Sequence, residues 1–285
     1  MKRKDVFVSA IKGIITGITT WINNMSVASV ILSLNSYENV IKGLSNSKNK
    51  KNQELWYVTI PLLFSICLGL LGGHKLMNMF LKRYQLQTII LFIGLFIGGI
   101  KVVFTKKKLN LNKKNIYIPI VIILISVLFI ILTNNKSITV ENNIIKTIVL
   151  GLLAGISILL PGTSILSSKI NCNYTTIINS LTNITKNKNS LTIILFLIVV
   201  LITILLISKI IAKLINKNKN NLYISLCSLI VVSIIILISE IKPTTLNFVN
   251  VFTSILAFLW GYIFAKNVER EWLVILFNWG VKHDL

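Results

Sequence analysis

The chain alternates between long apolar runs and short polar, lysine-rich intervals, and that pattern predicts its elements. Six runs, roughly Trp56–His74, Leu86–Phe104, Ile116–Leu132, Leu191–Ile207, Leu222–Ser239 and Leu246–Phe264, each come close to the ~20 apolar residues a bilayer core requires. Four contain no Asp, Glu, Lys, Arg or His, and the other two contain only His74 and Lys101. Two further apolar stretches, Val6–Leu34 and Ile144–Ser168, are interrupted midway by Asn23-Asn24-Met25-Ser26 and by Pro161-Gly162-Thr163-Ser164. The pattern predicts six spanning helices and two broken segments.

Composition agrees with this. Of 285 residues, 54% are apolar and only 13% charged, with a mean hydropathy of +0.79, outside the range of soluble domains. A secreted fold, a nucleic-acid module and a cytosolic enzyme are all disfavoured. The excess of 30 Lys and Arg over 8 Asp and Glu lies mainly in the intervals between spans, where it reads as topogenic charge facing anionic membrane lipids, with no nucleic-acid partner. Cys67, Cys172 and Cys227 share no ligand spacing and read as packing residues or free thiols, with no metal and no cofactor expected. The basic start has an apolar run interrupted by Lys12 and no small-residue cleavage site, so a cleaved signal peptide is not expected.

The two broken segments align with each other. Gly13 falls on Gly151, Gly17 on Gly155, Asn23 on Pro161, Ser26 on Ser164 and Ser29 on Ser167; after a one-residue slip Tyr37 falls on Tyr174 and Ile41 on Ile178. This predicts a tandem duplication, each copy one broken segment followed by three spans. If both segments dip into the membrane and return, with the N-terminus inside, the inner loops hold 20 Lys and Arg against 9 outside. If both cross, the division is 15 to 14. The positive-inside bias therefore selects re-entrant segments and places both termini in the cytoplasm. Three crossings per copy invert the second copy relative to the first. Such inverted repeats build alternating-access sites from discontinuous helices, and irregular backbone at membrane depth needs a protein or aqueous covering, so the two breaks are expected to meet.

The second break suits an anion. Pro161 fits a first helical position, Gly162 permits close backbone approach, and the following N–H groups with the hydroxyls of Thr163 and Ser164 aim donors and a positive dipole end outward. Ser167, Ser168 and Lys169 extend the polar strip, and a plain kink with hydroxyls bonded back to their own helix is the competing account. In the first copy Asn23, Asn24, Ser26 and Ser29 occupy the matching positions. His74, Lys75 and Lys101 read as interfacial cations, Trp56-Tyr57 and Trp260-Tyr262 as aromatic anchors, and the glycine faces as helix contacts. With two histidines at membrane edges and no mid-span carboxylate, no general acid–base pair or nucleophile set is visible, and no enzyme is expected.

These residues resemble the membrane-protein family of the PopT-type undecaprenyl-phosphate translocases, in which each repeat opens with Gly-x-x-x-Gly, Pro-Gly-x-Ser-Gly and Leu-Gly-x-Tyr. The second copy has Gly151, Gly155, Pro161-Gly162-Thr163-Ser164 and Tyr174; the first has Gly13, Gly17, Ser26 and Leu34-Asn35-Ser36-Tyr37-Glu38. The likeness runs from about residue 8 to 265. Asn23-Asn24 stands where the family has Pro-Gly, and Ile165 and Cys172 replace two of its glycines, which marks a divergent member. The resemblance implies return of polyprenyl-phosphate carrier lipid across the cytoplasmic membrane for reuse in envelope synthesis.

The expected molecule is an all-α polytopic membrane protein, one membrane domain over 1–285 with repeats at 6–133 and 134–265 and an interfacial tail at 266–285. Its expected activity is translocation of undecaprenyl phosphate or a related polyprenyl phosphate. Thr163, Ser164 and the N–H groups after Pro161-Gly162 hold the head group opposite Ser26 and Ser29, while Gly13, Gly17, Gly151 and Gly155 pack the hairpins. The alternative is a non-transporting structural or regulatory subunit, or a binder of another anionic lipid.

Overall fold

A computed structural model describes residues 3–22, 25–45, 53–112, 115–133, 144–162, 190–241 and 247–268, and the ordered elements among them are all helices. In chain order these are α1 (Arg3–Thr19), α2 (Val27–Ser33), α3 (Tyr37–Ser45), α4 (Gln53–Arg83), α5 (Gln85–Lys107), α6 (Tyr117–Thr133), α7 (Ile144–Leu159), α8 (Ser190–Ser239) and α9 (Phe248–Asn267). Four stretches are long and apolar enough to cross a membrane: Trp56–Arg83, Gln85–Lys107, Ile194–Ser239 and Phe248–Asn267. The Ile194–Ser239 stretch contains two of the runs read from the sequence, divided at Asn218, whose φ of −150° and ψ of 69° break the helical path.

Helices outrun the apolar runs that announced them. The α4 helix continues past His74 to Arg83, so the interval read as a loop over 75–83 is helical. Lys, Leu and Met are good helix formers, and hydropathy reports where apolar sequence ends, not where helix ends. At 1.5 Å per residue the 31 residues of α4 reach about 46 Å, beyond the ~30 Å hydrocarbon core, and the excess carries Lys82 and Arg83.

Exposure is the reverse of a soluble protein's. On α4, Phe64, Leu68 and Leu71 lie on one face at i, i+4 and i+7 and are largely exposed, while Thr59, Leu62 and Ser65 on the other side are buried. Lipid covers the first face, and no hydrophobic force separates the two, so the protein-facing side is held by close packing. Small residues make that packing possible. A side chain on Gly13 or Gly17 would strike α4 backbone at Leu62 or Ile66, and one on Gly151 or Gly155 would strike Val199 or Thr203 of α8. The same pairing of a glycine-bearing helix with the span that follows its break thus occurs in both halves of the chain.

The α5 and α9 helices run parallel. Gly94 abuts the Phe258 carbonyl, Gly98 the Tyr262 carbonyl, and Gln87 Nε2 donates to Asn250 Oδ1 at 3.2 Å and Thr253 Oγ1 at 3.0 Å. Contacts advance together along both chains, so both helices end on the same side. At the centre lies α2, seven residues long, with Ala28 through Ser33 all buried. It packs against α1, α5 and α7. Asn35, at φ 52°, turns the chain sharply into the amphipathic α3.

Candidate functional site

The two breaks meet. Ser26, the residue before α2, donates its hydroxyl to the carbonyls of Ser157 at 3.0 Å and Leu160 at 3.1 Å, both at the end of α7. Tyr37 Oη, at the start of α3, donates to the Leu159 carbonyl at 2.7 Å. The last carbonyls of a helix have no partner within it, and here hydroxyls from the opposite half of the chain supply them. Ser26 is 2% exposed and Tyr37 2% exposed, so these bonds are sealed from solvent.

The polar seam continues along α2. Ser26, Ser29 and Ser33 recur at i, i+3 and i+7, on one helical face. Ser29 Oγ shares a hydrogen bond of 3.2 Å with Ser233 Oγ of α8, and Ser33 Oγ donates back to the Ser29 carbonyl while its Cα and Cβ face Gly99 of α5. Hydroxyl groups therefore line a path from the end of α7 to the middle of α5, all of it buried.

Pro161 and Gly162 form the turn that leaves α7. Gly162 has φ +73°, a left-handed conformation that other residues resist, and a Cβ there would meet the Leu229 carbonyl of α8 at 2.6 Å. Its close approach is thus to α8 backbone. Asn23, Asn24, Thr163, Ser164, Ser167, Ser168 and Lys169, with Tyr174, lie outside the described residues. Of the site read from the sequence, the structure brings Ser26, Ser29, Pro161 and Gly162 to one junction, and it adds Ser33, Tyr37 and Ser233. The Ser-x-x-Ser-x-x-x-Ser spacing of α2 was the available signal for Ser33; nothing local marks Ser233.

One charged cluster adjoins the seam. Glu38, next to Tyr37, pairs with Lys42 at 2.7 Å, with Lys107 at the end of α5, and with Lys219 beside the α8 break at 3.5 Å, and it accepts a hydrogen bond from Tyr223 Oη at 3.0 Å. Lys107 Nζ also lies 5.3 Å from the Tyr223 ring centre. Burial works to raise the Glu38 carboxyl, but hydrogen bonds from Lys107 and Lys42, the Lys107 charge and the Tyr223 hydroxyl outweigh it and lower the carboxyl to about 2. Glu38 is therefore an anion at neutral pH, tying α3 to α5 and α8.

The isolated cations and thiols read from the sequence have partners or plain surroundings. His74 stacks edge-on against Trp21, ring centres 4.4 Å apart, and Trp21 Nε1 donates to the Leu70 carbonyl at 2.7 Å. Cys227 is a buried and Cys67 an exposed free thiol.

Residues 3–117 match the model of the family described as VCA0040-like, undecaprenyl phosphate translocase-like. This is the family the motifs resemble. The matched stretch holds Gly13, Gly17, Ser26, Tyr37 and Glu38, and it ends where α6 begins. No curated protein and no solved structure matches the chain significantly. The long apolar helices make the chain a multi-pass membrane protein.

Proposed function

We propose that the protein carries undecaprenyl phosphate, or a closely related polyprenyl phosphate, across the cytoplasmic membrane by alternating access. In this reading the chain is an inverted repeat, each copy one re-entrant hairpin and three spans, with both termini cytoplasmic. The phosphate sits where the hairpin tips meet, while the isoprenoid tail stays in the bilayer. The site then needs only a small polar cleft.

The observation that carries the reading is the placement of Ser26 on the end of α7, because it brings the aligned breaks of the two copies into hydrogen-bonding distance. The Ser26 hydroxyl now donates to neutral carbonyls. When a phosphate enters, rotation about its side-chain bonds redirects that donor to an anionic oxygen, and hydrogen bonds to ionised acceptors are roughly twice as strong as neutral ones. Ser29 and Ser233 offer a second hydroxyl pair one turn away. In this reading Thr163, Ser164, Ser167, Ser168 and Lys169, with Asn23 and Asn24, complete the cradle.

A second reading has its own support. The Ser26 and Tyr37 hydroxyls already satisfy α7 carbonyls, which suits a purely structural junction in a non-transporting subunit. Binding of undecaprenyl phosphate to the purified protein, compared with the neutral polyprenol, separates the two. Transport predicts phosphate-dependent binding that falls about tenfold or more in Ser26→Ala and Ser164→Ala, the loss expected for one hydrogen bond to a charged group. Equal retention of both lipids by wild type and variants contradicts it and leaves the structural reading.

A further inference from the structure

Glycines lock the described helices into blocks. Gly13 and Gly17 of α1 seat against α4, and Gly43 of α3 seats against Thr59 of α4, whose hydroxyl donates to the Asn39 carbonyl at 3.2 Å. Gly94 and Gly98 of α5 and Gly261 of α9 lock those two helices to each other, and Gly151 and Gly155 lock α7 to α8. The blocks are α1 with α3 and α4, α5 with α9, and α7 with α8. Parting the helices of one block would forfeit close packing along the contact, which is what holds helices together in lipid.

Glu38 joins all three blocks. It stands on α3, and its carboxylate takes Lys107 at the end of α5, with Lys219 at 3.5 Å and the Tyr223 hydroxyl at 3.0 Å, both on α8. At the same end Asn110, just after α5, and Asn220 of α8 exchange two hydrogen bonds of 3.0 and 3.1 Å. These joins differ in kind from the glycine contacts. The Lys42 and Lys219 side chains are 39% and 46% exposed, so water reaches the cluster and solvates charges that part there. When the blocks move relative to one another, these joins are the ones that exchange.

Each partner also sits beside a departure from helical backbone. Asn35, at φ 52°, lies three residues before Glu38; Lys108, at φ 48°, follows Lys107; Asn218, the non-helical residue inside α8, precedes Lys219. Domain movements concentrate their backbone changes in a few such residues at element ends. Tyr37, next to Glu38, closes the end of α7 through its bond to the Leu159 carbonyl. A movement of α3 that draws Glu38 from α8 therefore draws Tyr37 from the junction of the two breaks.

We infer that Glu38 is the latch of a gate at this end of the molecule. While its carboxylate holds Lys107, Lys219 and Tyr223, the junction is closed. When it lets go, the block of α1, α3 and α4 swings from α8 and uncovers the end of α7. This motion is one half of the alternating access proposed above and rests on that reading.

The test uses the full-length protein in lipid nanodiscs free of polyprenyl phosphate, in a background lacking Cys67, Cys172 and Cys227. Spin labels on Ser45→Cys of α3 and Lys217→Cys of α8 read the distance across the latch by double electron–electron resonance. A second pair, Ser45→Cys with Leu71→Cys of α4, reads a distance inside one block. Glu38→Gln is expected to add a component longer by about 5 Å, the displacement of one helical turn, to the first distribution and to leave the second unchanged. Lys219→Gln with Tyr223→Phe, which keeps Glu38 and its bonds to Lys42 and Lys107, is expected to lengthen the first distance as well. An unchanged distance across the latch in either variant overturns the inference. So does lengthening of both pairs together, which would mean that α3 has left α4 and that Glu38 serves only its packing. The distances are read without substrate or transport, so failure of undecaprenyl phosphate to bind would contradict the transport reading separately.

Discussion

The Tyr37 hydroxyl donates a 2.7 Å hydrogen bond to the Leu159 carbonyl, so the element that follows the first break closes the helix that precedes the second. Burying that pair makes the bond costly to lose. Tyr37→Phe removes the donor and leaves a buried carbonyl short of a partner, for an expected loss of about 1–3 kcal/mol. Equilibrium unfolding in detergent, with the variant beside the wild type, measures it.

The glycine contacts make a sharper contrast. Gly17→Ala drives a methyl group into the backbone of α4 at Ile66, whereas Gly72→Ala on α4 meets nothing within 4 Å. The first is expected to cost about 1–3 kcal/mol as α1 and α4 are forced apart. The second should be neutral or slightly stabilising, since Ala favours helix over Gly by about 1 kcal/mol. Thermal unfolding of the two variants under the same conditions tests both signs.

Much of this was legible beforehand, and the limits have physical causes. The breaks at Asn23–Ser26 and Pro161–Gly162 and the packing glycines announce themselves because a polar or Gly-Pro interruption in an apolar run is a local signal. The contact between Ser26 and the end of α7 was expected from the internal repeat read in the sequence. By contrast, the partner of Ser29 is Ser233, 204 residues away, and three lysines from α3, α5 and α8 converge on Glu38. Such pairings are set by tertiary packing, and no spacing within one segment carries them. The true end of α4 was hidden because Lys75, Asn78, Lys82 and Arg83 interrupt the apolar residues of its last turns.

Glu38 gives the fold a pH dependence with a defined sign. Its folded carboxyl is lowered from 4.5 to about 2, so the stability it supplies is complete above the ordinary carboxylate range and is lost as pH falls from about 4.5 toward 2. Unfolding measured across that window should show the wild type weakening with acid. Glu38→Gln should be less stable at neutral pH and flatter through the window, because three lysines then face each other without their anion.

Topology has its own check. The Glu38 pairs and the two hydrogen bonds between Asn110 and Asn220 gather α3, the end of α5 and the middle of α8 at one end of the molecule. Accessibility tags at residues 48 and 110 are therefore expected on the same side of the membrane. Opposite sides would mean that α4 and α5 do not both cross. A tag at the N-terminus reports on the first broken segment, on the side of residue 48 if the segment returns and on the other side if it crosses.

The most direct measurement of the shared site is thiol labelling of Ser26→Cys and Ser164→Cys in a background lacking Cys67, Cys172 and Cys227. Ser26 is 2% exposed with the junction closed, so a small water-soluble reagent should label its replacement slowly, as the junction opens. The account predicts that undecaprenyl phosphate protects both positions and that neutral polyprenol protects neither. Labelling of either position that is indifferent to the phosphate would contradict a head-group site between the two breaks.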